Sequence, residues 1–144
     1  MATRYVIRGL ILPGGMDELD DLIDAGYTSW LLSGFVTRRL IAAHRAGRLD
    51  EPVDIVGHSL GANAAGTMAN ALGDAGVRVG AVLMLDPTYR RRVSHGSPVI
   101  AFQSRDWRAR TIDGAINIAR PDLDHMGLTT DPVVIRTIID NLSR

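Results

Sequence analysis

At 144 residues, with 46% hydrophobic and 22% charged side chains, the chain has the length and composition of one ordinary globular domain (residues 1–144), with no room for a separate cap domain. Sixteen basic side chains balance sixteen acidic ones, so no general field draws nucleic acid or an anionic membrane, and the Arg90-Arg91-Arg92 run reads as solvated loop. The absence of cysteine excludes disulfides, thiolate metal sites and a cysteine nucleophile.

The chain opens with arginines, Arg4 and Arg8, inside its first apolar stretch and shows no small-residue cleavage pattern, unlike a secretory leader. No run approaches the length of a membrane span, and a cytoplasmic protein is expected. Residues 5–7 read as a buried strand, followed by a loop punctuated by Pro13-Gly14-Gly15. Met16, Leu19, Leu22 and Ile23 recur at helical spacing, with Gly26 placed to end that helix. A second strand is expected over residues 27–32 and a second helix over 35–46, with Val36, Leu40 and Ala43 on one face and Gly47 beyond it. The third unit is a strand at 53–56 and a helix from Leu60 to about Leu72, closed by Gly73. Residues 79–85 are almost wholly apolar, as in a strand buried on both faces, and stop at Asp86-Pro87-Thr88. Shorter strands follow at 99–102 and 115–119, separated by a polar loop holding Arg105, Asp106, Trp107 and Arg108. Asp131-Pro132 then pairs an N-cap with a first-turn proline, and Val134, Ile135, Ile138 and Leu142 continue an amphipathic helix. Strands alternating with helices predict an α/β fold of three layers, α/β/α, around a mostly parallel sheet of about six strands with right-handed crossovers. Ligands in such sheets bind beyond the carboxyl ends of the strands, and Ser59, Asp86, Asp106 and His125 all follow predicted strands.

The organising stretch is Val53-Asp54-Ile55-Val56-Gly57-His58-Ser59-Leu60-Gly61, an apolar run, a Gly-x-Ser-x-Gly turn, and then a small-residue helix. A serine hydroxyl is a weak nucleophile and must stand where a histidine can take its proton. A strand and a helix meeting in so tight a turn leave no room for a Cβ at Gly57 or Gly61, and put Ser59 at the strained apex. The bland alternative is a glycine-rich turn with Ser59 as a helix N-cap. Gly57-His58-Ser59-Leu60-Gly61 resembles the nucleophile elbow of α/β-hydrolase lipases and esterases. That resemblance implies a minimal α/β-hydrolase fold with strand order 2-1-3-4-5-6, lacking the family's first two strands.

Of the four histidines, His44 lies in a helix pattern, His58 adjoins Ser59 and is expected to be directed away by the turn, and His95 falls in an arginine-rich loop. His125 follows the sixth strand, in a loop before the last helix, and the resemblance implies a base at that position. Two aspartates compete as the acid that orients the base. Asp86 ends the fourth strand, and Leu85-Asp86-Pro87 is similar to the acid-bearing segment of pancreatic-type lipases. Asp106 follows the fifth strand, the commoner place for the acid in the wider family. Asp86 is preferred because Pro87 biases it to extended backbone on a rigid strand, whereas Asp106 lies within an irregular loop; its own bland reading is a turn residue bonding the backbone at Thr88. Asp124 is too near His125 in sequence to face its ring. The oxyanion of acyl transfer needs backbone donors, expected from Leu60 and from the loop after the first strand, with Leu10 the choice and Pro13-Gly14-Gly15 an alternative. The sequence departs from the family here, having no His-Gly at that loop.

These readings predict a lidless serine hydrolase that cleaves an acyl ester or thioester of a small soluble substrate through a Ser59 acyl-enzyme. No cofactor is expected, and no metal, since the histidines lack ligand spacing. The alternative is a non-catalytic binding or structural protein on the same scaffold.

Overall fold

Apolar side chains alternate between the two faces of six parallel strands in the computed structural model, which describes residues 2–9 and 17–144. In chain order the elements are β1 (Thr3–Arg8), α1 (Asp17–Leu22), β2 (Gly26–Ser29), α2 (Ser33–Arg45), β3 (Val53–His58), α3 (Leu60–Asp74), β4 (Val79–Leu85), β5 (Val99–Gln103), β6 (Ile116–Ala119) and α4 (Pro132–Asn141), with one turn of 3-10 helix at Gly127–Thr129. The sheet order is β2-β1-β3-β4-β5-β6, the order that the resemblance implied.

The period of two along each strand decides which helix covers which face. Ile7, Ile55, Val82, Met84 and Ala101 share one core with Leu40 of α2 and with Ala62, Ala65, Met68 and Leu72 of α3. Their neighbours Val6, Val56, Leu83, Leu85 and Ile100 point the other way, into a second core with Leu19 of α1 and Val134 and Ile138 of α4. The result is three layers, with α2 and α3 on one face and α1 and α4 on the other. Burying each such aliphatic side chain contributes about 1.5–3 kcal/mol, so both faces hold the sheet. At the opposite end from the strand tips, buried Asp54 accepts bonds from Ala81 N (2.9 Å), Ser143 N (2.8 Å) and Ser143 Oγ (2.6 Å), which fastens the chain after α4 to β3.

The direction in which successive strands are added reverses beside β1, which has β2 on one side and β3 on the other, so the crevice between β1 and β3 is the switch in strand order. The elbow stands on its rim. A Cβ at Gly57 would collide with the Gly61 carbonyl, and one at Gly61 with the Ile7 carbonyl, so both glycines are needed for α3 to start directly against β1 and β3.

Several expected boundaries move. Gly26 opens β2 instead of closing α1, and the chain turns at Asp24 (φ 52°); a Cβ at Gly26 would crowd the Tyr5 ring on β1. β2 stops at Ser29, because Trp30 to Leu32 turn directly into α2. Gly73 lies inside α3, and the left-handed residue after the helix is Gly76 (φ 91°). Asp86 is not extended as Pro87 led us to expect. It sits at φ 54°, held there by the bonds described below.

Candidate functional site

β3 delivers Ser59 and β4 delivers Asp86 to adjacent strand ends. Each carries a positive φ, 61° and 54°, unusual for a residue with a side chain. Each is also pinned to the neighbouring strand through its own amide: Ser59 N donates to Leu85 O (2.8 Å), and Asp86 N to Phe102 O (2.9 Å). At φ 61° and ψ −122° the Ser59 side chain makes no capping bond to α3, so the N-cap reading does not describe it. Leu60 is the first residue of α3, and its N–H is among those that a helix start leaves without an intrahelical acceptor. Gly9, just past β1, runs so close that a Cβ there would lie 2.7 Å from His58 O and 3.0 Å from Ser59 Cβ. Leu10 and Pro13-Gly14-Gly15, considered above as further oxyanion donors, lie outside the described residues.

His125 donates from Nδ1 to Asp86 Oδ2 at 2.7 Å. Asp86 is wholly buried, and its other bonds come from Ser104, whose backbone N–H donates to Oδ1 (2.6 Å) and whose Oγ donates to Oδ2. Three donors, spread over its two oxygens, fix the direction of this carboxylate. Thr88, the partner in a turn-only reading of Asp86, is engaged elsewhere: its N–H bonds Asn63 Oδ1 of α3 at 3.0 Å. Asp106 reaches this group only through its backbone N–H, which donates to Ser104 Oγ (3.1 Å), and its carboxylate stays apart. Its two oxygens clamp Arg108 (Nε 3.0 Å, Nη2 2.9 Å), and that guanidinium holds its carboxyl well below the usual carboxylate range. Asp124 caps its own turn on Gly127 N. The loop bearing His125 is tied down by Arg120, which bridges Asp122 and the α4 cap Asp131.

His58 is where expectation and structure differ most. The turn does not send it away from the site. It is buried, its Nε2–H donates to the His125 carbonyl at 2.9 Å, and the two rings lie 4.5 Å apart at 35°. Burial pushes its imidazole below the ordinary value of 6.5, so it is a neutral wall behind His125. A signal for this was present: His58 stands two residues after Val56 on one strand, hence on the α4 face, where the His125 loop returns. Ser104 was missed as well, though it follows β5 as Asp86 follows β4. The remaining histidines lie elsewhere, His44 on Glu51 (3.0 Å) and His95 on Asp74 (2.9 Å).

Over Ser59 opens a cleft of about 400 Å³, lined by Ser59, Leu60, Thr88, Trp107, Arg108 and Arg110. Among the described residues no group of three or more His, Asp or Glu is arranged to hold a metal, and no helix is long and apolar enough to cross a membrane.

No protein-family model matches the chain, and no curated protein matches it in sequence. Solved structures do match in fold. The NocB thioesterase domain, in covalent complex with a fluorophosphonate nocardicin G analog, aligns over 98% of this chain and 92% of its own, with a TM-score of 0.61 at 13% identity. A protein described as a hydrolase of the alpha/beta superfamily from Xanthomonas campestris pv. campestris aligns over 96% of both chains (TM-score 0.55, 14% identity). A protein described as a YdeN-like hydrolase from Pectobacterium atrosepticum covers 98% of this chain and 90% of its own (TM-score 0.59, 12% identity). With the strand order above, these likenesses give the chain a minimal α/β-hydrolase fold.

Proposed function

We propose that this chain is a serine hydrolase cleaving an acyl ester or thioester of a small soluble substrate, with Ser59 as nucleophile, His125 as base and then acid, and Asp86 as the orienting carboxylate. The observation that carries this reading is the 2.7 Å bond from His125 Nδ1 to buried Asp86, on the strand next to the one that ends in Ser59. With Nδ1 carrying the proton, the lone pair of His125 is on Nε2, the tautomer a general base requires. Ser59 Oγ attacks the acyl carbon as Nε2 takes its proton, and the carbonyl electron pair moves onto oxygen, with the Leu60 N–H as the proposed donor that stabilises it. Collapse breaks the bond to the alcohol or thiol, which leaves with the proton from Nε2. Water then repeats the cycle against the acyl-enzyme. Leu10 stays the proposed second donor.

A fold neighbour described as a thioesterase domain and bound covalently to a fluorophosphonate supports both the thioester option and the choice of probe. The open cleft, with Thr88, Arg108 and Arg110 on its wall, suits a short substrate better than a long acyl chain. On this reading residues 1–144 act as one domain, in the cytoplasm. Treatment with a fluorophosphonate and peptide mass spectrometry should find one adduct, on Ser59. An unlabelled Ser59 beside an intact fold would favour the non-catalytic alternative.

A further inference from the structure

The cleft over Ser59 is not electrically neutral, although the chain as a whole is. Its lining carries two arginines and no carboxylate: Asp86 is wholly buried behind it, with its oxygens turned to Ser104 and His125, and Asp106 is neutralised by the two-bond clamp on Arg108. Among the described residues Arg110 is matched by no acid. Its Nη1 donates to the carbonyls of Trp107 (2.8 Å) and Ala109 (3.1 Å), which fix its direction without cancelling its charge. Among the described residues no carboxylate lies within ion-pair distance of it. Both of those bonds use Nη1, so the edge formed by Nε and Nη2 remains, and that edge can give two parallel bonds to a carboxylate or phosphate. The backbone around it is rigid too: Arg110 N donates to Pro87 O at 2.8 Å, and Gln103 Nε2 donates to Arg110 O. A cation held by its own loop loses little freedom on binding an anion. Beside it Trp107 is 81% exposed, a large flat apolar surface turned to solvent.

Resting on the hydrolase reading above, we infer that the ester or thioester substrate carries an anionic group, a carboxylate or a phosphate, which Arg110 receives while the adjoining hydrocarbon lies along Trp107. Arg108 does not compete for it, because Asp106 already occupies its fork. The site thereby prefers charged substrates over neutral ones of the same length.

The test pairs p-nitrophenyl pentanoate with mono-p-nitrophenyl glutarate, which has the same chain length and ends in a carboxylate. The glutarate ester should have a kcat/KM at least about tenfold higher, the worth of one charge-assisted contact. In R110Q that ratio should fall close to one, and in the wild-type protein it should fall when salt is raised from about 20 mM to about 0.5 M. Equal turnover of the two esters by the active protein, or an unchanged ratio in R110Q, overturns the inference and leaves the hydrolase reading standing. A second readout does not depend on turnover. The chain has two tryptophans, so W107F assigns the Trp107 indole resonance, which is then followed during titration with glutarate and with inorganic phosphate. A saturable shift with either anion, absent in R110Q, supports the site, and the anion acting at lower concentration identifies its chemistry. No shift with either overturns it. Absence of both Ser59 labelling and ester turnover, with the anion shift intact, would instead remove the hydrolase reading and keep the anion site.

Discussion

Replacing Asp86 by asparagine tests the site at its least forgiving atom. The buried carboxylate meets three donors, Ser104 N on Oδ1 and both Ser104 Oγ and His125 Nδ1 on Oδ2. An amide has one oxygen. Ser104 N cannot turn around, so that oxygen must occupy the Oδ1 position, and the NH₂ then faces His125 Nδ1. To avoid donor against donor, His125 must move its proton to Nε2, which removes the lone pair that takes the Ser59 proton. The Ser104 hydroxyl can rotate to accept, and asparagine tolerates a positive φ as aspartate does, so the fold should survive. The same carboxylate-to-amide change in a serine protease template costs about 10⁴ in kcat, and four decades correspond to about 5.4 kcal/mol of lost transition-state stabilisation. Asp106→Asn is the matched control. Its clamp on Arg108 is at the surface and screened by solvent, so its effect should stay within about fivefold. Burst and steady-state kinetics with p-nitrophenyl acetate, alongside circular dichroism, would measure both. If Asp86→Asn folds and keeps more than about a tenth of kcat, or if Asp106→Asn loses about a thousandfold, the assignment of the acid is wrong.

Ser59→Ala should leave the melting curve in place and abolish the fluorophosphonate adduct; a label that persists on another serine would displace Ser59. His125→Ala should match the loss seen with Ser59→Ala because triad members act as a unit, while His44→Ala and His95→Ala retain activity; an inactive His95 variant beside an active His125 variant would reverse that assignment. His58→Ala removes the donor to the His125 carbonyl and should cost about 1–3 kcal/mol of stability by urea titration, with kcat falling too as the base loses its wall. Because the folded chain holds the His58 pKa below 6.5, the unfolded chain binds the extra proton as pH falls through 6.5, so stability is highest above that value and declines below it; His58→Gln should flatten that part of the urea midpoint against pH, and an unchanged slope would assign it to other groups. Gly57→Ala drives a Cβ into the Gly61 carbonyl and should destabilise by about 3 kcal/mol or more, read from the urea midpoint.

The sheet was legible because its signals are local and repeated. The run Val79–Leu85 was read to the residue because a strand covered on both faces has no polar position to blur its ends. Asp131-Pro132 marked the start of α4 by a chemistry that depends only on neighbours, and Asp131 indeed accepts from Val133 N and Val134 N. Glycines misled where their reason was tertiary. Gly73 is small because the His95 ring covers it, and Gly26 because Tyr5 lies against it, and neither cause can be seen in its own stretch of sequence. The site divides in the same way. The elbow is a local device and announces itself. The donors around Asp86 come from just after β5 and from the loop before α4, 18 and 39 residues away, so choosing between Asp86 and Asp106 required three dimensions.

The two strained residues of the site, Ser59 and Asp86, explain each other. A side-chain-bearing residue at positive φ costs about 1–2 kcal/mol, and such a cost persists only where surrounding structure over-determines it. Ser59 and Asp86 meet that condition by one repeated bond: the amide of each continues the parallel ladder one step beyond its own strand, onto the last carbonyl of β4 and the β5 carbonyl opposite. The ladder pairs His58 with Leu85 and Leu85 with Phe102, so Ser59 and Asp86 emerge in one register row, each turning off its strand in the same sense. Their relative position is therefore set by hydrogen-bond register in the middle of a sheet packed on both faces. Reaching this arrangement takes no loop ordering and no binding energy, which is why so short a chain can hold it.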